Sequence, residues 1–534
     1  MVFQVGVQTL TYQTWLKLVS SPETLSVLSN TILYGIGGAS IGAVMAVLYA
    51  WIVIRTDVPG KRILVFLPIL ASVMPMFVKA LGWVFLFSPR IGLVNMMFSG
   101  LYGSSAVVFN IYTMQGMMFA VGVGGFPLQY LVLEPALRSL NPDCEESSRI
   151  CGNGLLKTFR KITGPMLLPA ILSAFLIHLI MIFENFDYVF LLGGPAGINT
   201  MATEVYYYIN ERSPPDFGSA VAISSIFLIM TFAAFTIYVW VTRRSFRFVT
   251  VTGKATHRTH HMLGRWRYAA FALLLFLITI SFILPMSTVL LVSVVPYATL
   301  TQNFRILSFT LDNFAGALRL PLFYRAITNT ILLAIGAGVM TAVMATVLSY
   351  ASLKGKFRGA RLTEYVGAIP LGFPGIVFGL ALFWTFLTIP VLSDLLYGTI
   401  FALIIAISIT RVPHCMRITS GNLIQLSDEL EEASKVTGAS SWRTIRKITL
   451  PLISRGIFNS FIYTFIHAMR EISTIILLLT PGTILVMPLL LFLYGEHATA
   501  LNLVAAGSVI VSAIMILILV VARLLERKLF ARYL

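Results

Sequence analysis

Charge is scarce in this chain. Only 11% of its 534 residues are Asp, Glu, Lys or Arg, and 57% are hydrophobic. A soluble domain carries about 25% charged residues, so a soluble globule of this size is excluded. Cysteine is scarce too. Cys144, Cys151 and Cys415 are the full set, all on segments whose charge places them on the inner side, and no disulfide framework is supported. The N-terminal MVFQVGVQTLTYQTWLKLVSS lacks a basic start followed by an apolar core and does not read as a cleavable signal. A phosphate-cradling loop needs Gly-x4-Gly-Lys-Ser/Thr. The Gly-Lys pairs here, Gly60-Lys61, Gly253-Lys254 and Gly355-Lys356, continue with Arg62, Ala255 and Phe357. No polar stretch is long enough for a nucleotide domain. HExxH and paired acid–His clusters are missing as well, which disfavours a membrane-embedded enzyme. The expectation is a non-enzymatic chain with no cofactor and no ATPase activity of its own.

What the chain has instead is apolar runs of about 20 residues, the length that crosses a bilayer as a helix, and a mean hydropathy of +0.88. The fold class expected is an all-α polytopic membrane protein with eleven transmembrane helices. The spans are expected near 29–54, 63–88, 104–125, 167–192 and 218–241, then near 268–295, 329–353, 364–389, 396–411, 453–479 and 502–523. Residues 1–28 are too polar to span and are expected at the interface. The helix 268–295 has no clear counterpart in the first half: either the first half lost it, or the start codon is internal, in which case a twelfth helix is expected. The net charge of +17 is not a nucleic-acid signal. Lys and Arg concentrate in short loops and in a linker (Arg243, Arg244, Arg247, Lys254, Arg258, Arg265, Arg267), as cytoplasmic retention charges do. With the linker inside, the 55–62 and 354–361 loops and the C-terminus also fall inside, and 193–217 falls outside. The linker cluster His257, His260 and His261 is read as solvated rather than metal-binding.

The strongest feature is a repeat. Glu146–Pro165 reads ESSRICGNGLLKTFRKITGP, and Glu432–Pro451 reads EASKVTGASSWRTIRKITLP. The copies align without a gap, 286 residues apart. Each opens on Glu, has Gly six residues on (Gly152, Gly438), carries Arg-Lys-Ile-Thr at one offset and closes on Pro. Good helix formers around a Gly predict a helix–Gly–helix element with a basic face and an apolar stripe (Ile150, Leu155, Phe159, Ile162; Val436, Trp442, Ile445, Ile448). The repeat divides the chain into a first half (1–241, loop 143–165), a basic linker (242–267) and a second half (268–534, loop 429–451). Asn30-Thr31 and Asn329-Thr330 mark equivalent spans.

The second copy (Glu432, Ala433, Gly438, Ile448, Leu450, Pro451) resembles the signature loop of the permease subunits of ABC importers. The first (Glu146, Gly152, Ile162, Pro165) is looser, with Ser147 and Gly164 where the second has Ala433 and Leu450. The resemblance covers nearly the whole chain as two fused permease halves and is greatest to the ferric-iron type, through GWVFLFSPRIGLVN, LLGGPAG and REISTIILLLTPGT. It implies a multi-pass protein of the bacterial inner membrane and loops that couple to two copies of a separate ATP-binding subunit. It also implies ATP and Mg held by those partners, a periplasmic or lipid-anchored substrate-binding protein, surrounding membrane lipid and no nucleic acid. Thiamine, polyamine and phosphonate permeases share much of the pattern. An ion-coupled transporter with two parallel halves is a remoter reading, since it has no use for two matched docking loops.

Ionisable residues within spans are costly and are functional candidates. His178, Glu184 and Asp187 follow the first loop; His467, Arg470 and Glu471 follow the second. A pair of Arg470 with Glu184 or with Glu471 is expected. Glu184, Asp187, His467, Arg470 and Glu471 are therefore pathway candidates, with a packing-only ion pair weighed equally.

Overall fold

The computed structural model describes residues 12–102, 108–140, 143–245, 261–296, 309–355, 357–478, 485–495 and 500–530. The chain folds into two compact units, residues 1–313 and 314–534. Both are built from helices.

The core of the first unit is the helix Pro22–Arg55 packed along Met114–Ser139 and Gly164–Phe183. Two apolar helices in lipid gain little by hiding from it, so they must fit closely. Glycine permits that here: a Cβ on Gly122 would lie 2.6 Å from the Gly38 carbonyl oxygen. Ser21 caps the long helix, its Oγ accepting from the Thr24 amide at 3.1 Å. The helix thus starts at Pro22, seven residues before the expected span. The short helix Tyr12–Val19 precedes it and donates from Trp15 Nε1 to Ser225 Oγ at 2.9 Å.

The second unit repeats this plan. Pro321–Lys354 packs along Ile400–Leu423 and Leu450–Ala468. The Asn-Thr signature is realised identically in both. Thr31 Oγ1 accepts from the Met201 amide at 2.9 Å, and Thr330 Oγ1 from the Met487 amide at 2.8 Å. Asn30 donates to the Asn199 carbonyl and Asn329 to the Leu485 carbonyl.

Among the described residues, eight helices are long and apolar enough to cross a membrane, and ten if each of two bent pairs counts as one. The bent pairs correct two of the expected spans. Lys61–Val73 and Met76–Phe87 meet at 96°, and Leu362–Gly372 and Gly375–Thr388 at 106°. Pro75 and Pro374 stand at the two breaks. A proline pushes the residue before it out of the helical region, and Met74 and Phe373 are accordingly extended. Two further spans stop early. Those expected at 167–192 and 453–479 end at Phe183 and Ala468, within one residue of the same register in each half. The second of these is not among the eight or ten. The helix Met114–Ser139 runs well into the expected loop 126–166.

The division of the chain also differs from expectation. The span Trp266–Ser293 was assigned with the second half, but it packs on the Met76–Phe87 helix of the first unit. Thr288 Oγ1 donates to the Gly82 carbonyl at 3.2 Å, and a Cβ on Gly82 would fall 2.4 Å from the Pro285 carbonyl oxygen. The boundary between units is at 313/314, past this helix.

Candidate functional site

Each repeated loop is a helix, a left-handed glycine and a second helix that continues into a span. In the first copy Asp143–Ile150 is followed by Gly152 at φ +80°, Leu155–Thr158, and a π-helical turn at Phe159–Thr163. In the second, Asp428–Val436 is followed by Gly438 at φ +82°, Ser441–Thr444, and a π-helical turn at Ile445–Thr449. The glycine closes the helix in a Schellman arrangement. Ala439 N donates to the Ser434 carbonyl and Gly438 N to the Lys435 carbonyl; Asn153 N donates to the Ser148 carbonyl at the matching position.

Two side-chain bonds hold the helices of each copy together. Ser148 and Thr158 share a hydroxyl bond of 3.0 Å, and Ser434 and Thr444 one of 2.9 Å. Thr163 Oγ1 donates to Glu145 Oε1 at 2.8 Å, and Thr449 Oγ1 to Glu431 Oε1 at 2.8 Å. Each bond contributes about 1 kcal/mol. Their value here is orientation: they fix the knob on its span. Sequence reasoning chose Glu146 and Glu432 and missed the braces. The signal was present, because each copy carries a Glu-Glu doublet and the Thr of Arg-Lys-Ile-Thr. Glu145 is buried, while Glu146 is half-buried and Glu432 exposed.

The apolar stripe divides in two. Phe159, Ile162, Ile445 and Ile448 are half-buried against the body. Ile150 and Val436, at matching positions, are 87% and 88% exposed, and Trp442 is 67% exposed. The side chain of Leu155 lies outside the described residues. Ala433, Pro165 and Pro451 are exposed; Gly164 and Leu450 are half-buried. Bare isoleucine, valine and tryptophan on an otherwise polar element form a surface that another protein can cover.

The last basic residue of each long helix anchors the element. Arg55 Nη2 donates to the Leu140 carbonyl at 3.1 Å, and Arg55 Nε lies 3.4 Å from Glu145. In the second unit Lys354 Nζ donates to the Leu426 carbonyl at 3.3 Å and pairs with Asp428.

The first copy has one support that the second lacks. His261 from the linker places Nε2 3.6 Å from Glu145 Oε2. Its backbone pairs with the end of the long helix, His261 N to the Arg55 carbonyl and Asp57 N to the His261 carbonyl. His261 is buried beside Trp51, which corrects the solvated reading. His257 and His260 lie outside the described residues. Among the described residues no group of His, Cys, Asp and Glu could hold a metal ion. Burial pushes the Glu145 carboxyl up, but His261, Arg55 and the Thr163 hydroxyl outweigh it and hold it below its usual value. Glu431 instead accepts from Tyr350 Oη at 3.3 Å.

The in-span candidates sit at the helix breaks. After Phe183, Asn185 Oδ1 accepts from the Tyr188 amide at 3.0 Å. Glu184 is half-buried and Asp187 buried. His178 is buried and bonded to Gln129. After Ala468, Glu471 Oε1 accepts from the Thr474 amide at 3.1 Å and from its hydroxyl at 3.0 Å. Arg470 Nη2 donates to His467 Nδ1 at 3.1 Å. The ion pair that Glu471 makes is with Arg411, in the helix Ile400–Leu423. Sequence reasoning had considered Arg470 for that part. Arg411 lies at the end of the expected span 396–411, where a cation reads as a loop charge.

The chain is thus a polytopic α-helical membrane protein that carries the same exposed element in each of two repeated units. Residues 28–247 and 334–531 match the family of binding-protein-dependent transport system inner membrane components, and the chain belongs to that family. It is 29% identical over 478 residues to a putative ferric transport system permease protein of Haemophilus influenzae, covering 88% of this chain and 72% of the relative. It is 28% identical over 515 residues to a ferric transport system permease protein of Actinobacillus pleuropneumoniae, covering 94% and 72%. A sulfate transport system permease protein of Salmonella typhimurium is 28% identical over 219 residues, 40% of this chain and 75% of the relative.

Proposed function

We propose that this chain forms the translocation path of an ATP-driven importer of ferric iron, and that its two repeated elements dock on two copies of a separate ATP-binding subunit. The observation that carries the docking role is the pair of internally braced knobs, each presenting an uncovered aliphatic side chain at the same position, Ile150 and Val436. The importer reading is supported by the family. The ferric cargo is supported by relatives of that name that align along most of the chain. ATP and Mg belong to the partners, a binding protein delivers the cargo on the opposite side, and the knobs, linker and C-terminus face the cytoplasm.

The test is co-purification with the ATP-binding subunit together with uptake of 55Fe(III) into cells. Val436→Asp places a charge where an apolar contact is required. It is expected to reduce ATPase recovery and uptake at least tenfold, with normal membrane insertion. Wild-type uptake in Val436→Asp and in Ile150→Asp would remove the docking role. A wild-type chain that recruits an ATPase but takes up no iron would keep the docking role and remove the cargo.

A further inference from the structure

We infer that Arg411 is a positioning residue for transport: it is the last rung of a polar ladder that ties the second docking element to the helix break at Glu471. This rests on the reading of that break as part of the path.

The helices Ile400–Leu423 and Leu450–Ala468 enter and leave the second docking element. Three residues of the entering helix, Thr419, Cys415 and Arg411, spaced by four, make polar contacts with the leaving helix or the segment just after it. Nearest the element, the hydroxyls of Thr419 and Ser460 lie 3.2 Å apart. Next, Cys415 Sγ lies 3.3 Å from Thr464 Oγ1 and donates to the Ser460 carbonyl at 3.4 Å. Farthest away, Arg411 pairs with Glu471. Four-residue spacing puts all three on one helix face. The first two rungs hold helix to helix. The third reaches past the helix end, to the residue whose other oxygen caps Thr474. That segment is packed without slack, because a Cβ on Gly375 would meet Thr474 Oγ1 at 2.8 Å and one on Gly379 the Thr474 carbonyl oxygen at 2.4 Å. Gly375 opens the second arm of the bent pair. A shift of the entering helix therefore reaches the bent pair through Arg411, Glu471 and Thr474.

The first unit shows what the fold needs at these positions and what it does not. Counting back 286 residues, Asn185 stands for Glu471 and Gly125 for Arg411. Asn185 makes the same cap to the Tyr188 amide. A Cβ on Gly125 would lie 2.0 Å from His178 Nε2, so a larger residue there would have to displace the His178 ring. The cap is common to both breaks and belongs to the architecture. Gly125 and Asn185 cannot form the ion pair, so that pair is not required to form such a break. A guanidinium–carboxylate pair in a low-dielectric interior is costly to assemble and strong once made. Retaining one where Asn and Gly suffice is what a force-bearing contact requires.

The test uses the full chain assembled with its ATPase and binding protein in proteoliposomes. It reads 55Fe(III) uptake and ATP hydrolysed per ion taken up. Glu471→Gln keeps the cap and the shape but removes the charge. The double variant Arg411→Gly/Glu471→Asn installs the first unit's own residues. Both are expected to assemble normally, to lose at least tenfold in uptake, and to hydrolyse several times more ATP per ion. Arg411→Lys is expected to stay within threefold of wild type. The inference is overturned if Glu471→Gln transports within twofold of wild type with an unchanged ATP ratio. It is equally overturned if Glu471→Gln fails to assemble, since the pair would then serve folding alone. A wild-type complex that couples ATP hydrolysis to its binding protein but moves no iron removes the cargo; the role of Arg411 is then decided by binding-protein stimulation of ATP hydrolysis, which is expected to be lost in Glu471→Gln and overturns the inference if it is unchanged.

Discussion

At the scale of single residues, buried partners matter more than exposed motif letters. Glu145 gathers Thr163, Arg55 and His261, and its carboxyl is held below the usual range. A group with a lowered folded-state value contributes stability above its unfolded value, about 4.3 for glutamate, and loses it as pH falls through the folded one. Glu145→Gln is therefore expected to lower the melting temperature of the detergent-purified protein at pH 7. The gap to wild type should close as pH drops below about 4.3. An equal gap at pH 7 and pH 3 would show that the charge is not what stabilises. Gly438 makes a different argument. Nothing stands within 4 Å of a Cβ built there, so only its φ of +82° resists substitution. Gly438→Ala is expected to cost about 1 kcal/mol, read as faster hydrogen exchange across 428–444. Gly438→Asp is expected to impair coupling as well while leaving insertion intact, which uptake and membrane fractionation together would show.

Elements were legible from sequence to the extent that one pattern decided them. The docking element was predicted as helix–Gly–helix around Gly152 and Gly438, because helix formers flanking a glycine leave little else. Hydropathy placed the spans, but it sums along the chain and cannot register a bend. The runs 63–88 and 364–389 stay apolar through Pro75 and Pro374, so they read as straight. The breaks after Phe183 and Ala468 were invisible for the same reason, since the apolar runs resume within a few residues, at YVFLL and IILLL. The Arg411–Glu471 pair and the hold of His261 on Glu145 join residues far apart in sequence, and one chain without an alignment carries no trace of such contacts. At this scale Thr449→Val is informative. It removes the donor to Glu431 while keeping shape, and should loosen the second knob on its span. Uptake is expected to fall several-fold with ATPase binding retained. Loss of ATPase binding instead would mean that the brace shapes the docking face itself.

At the scale of the molecule, one plan is carried out twice with differences of detail. The Asn-Thr anchors, the braced knobs, the bent pairs and the breaks recur at matching positions. The Trp266–Ser293 helix departs from the plan by packing in the first unit. Its contact with the Met76–Phe87 helix runs through Gly82, where a Cβ would collide with the Pro285 carbonyl oxygen. Gly82→Val is expected to lower the melting temperature of the purified chain by several degrees while sparing docking. An unchanged melting temperature would show that this helix is only loosely seated.

The contrast between Gly125 with Asn185 and Arg411 with Glu471 has an evolutionary consequence. A permease assembled from two identical polypeptides must accept each substitution at both symmetric places, so an arginine that suits one break is forced on the other. There it would collide with the imidazole that fills the space beside Gly125. Fusion into one reading frame removes that constraint, because each half mutates alone. A gene encoding both halves can thus divide labour between them, with the arginine–glutamate pair kept at one break and Gly125 and Asn185 at the other.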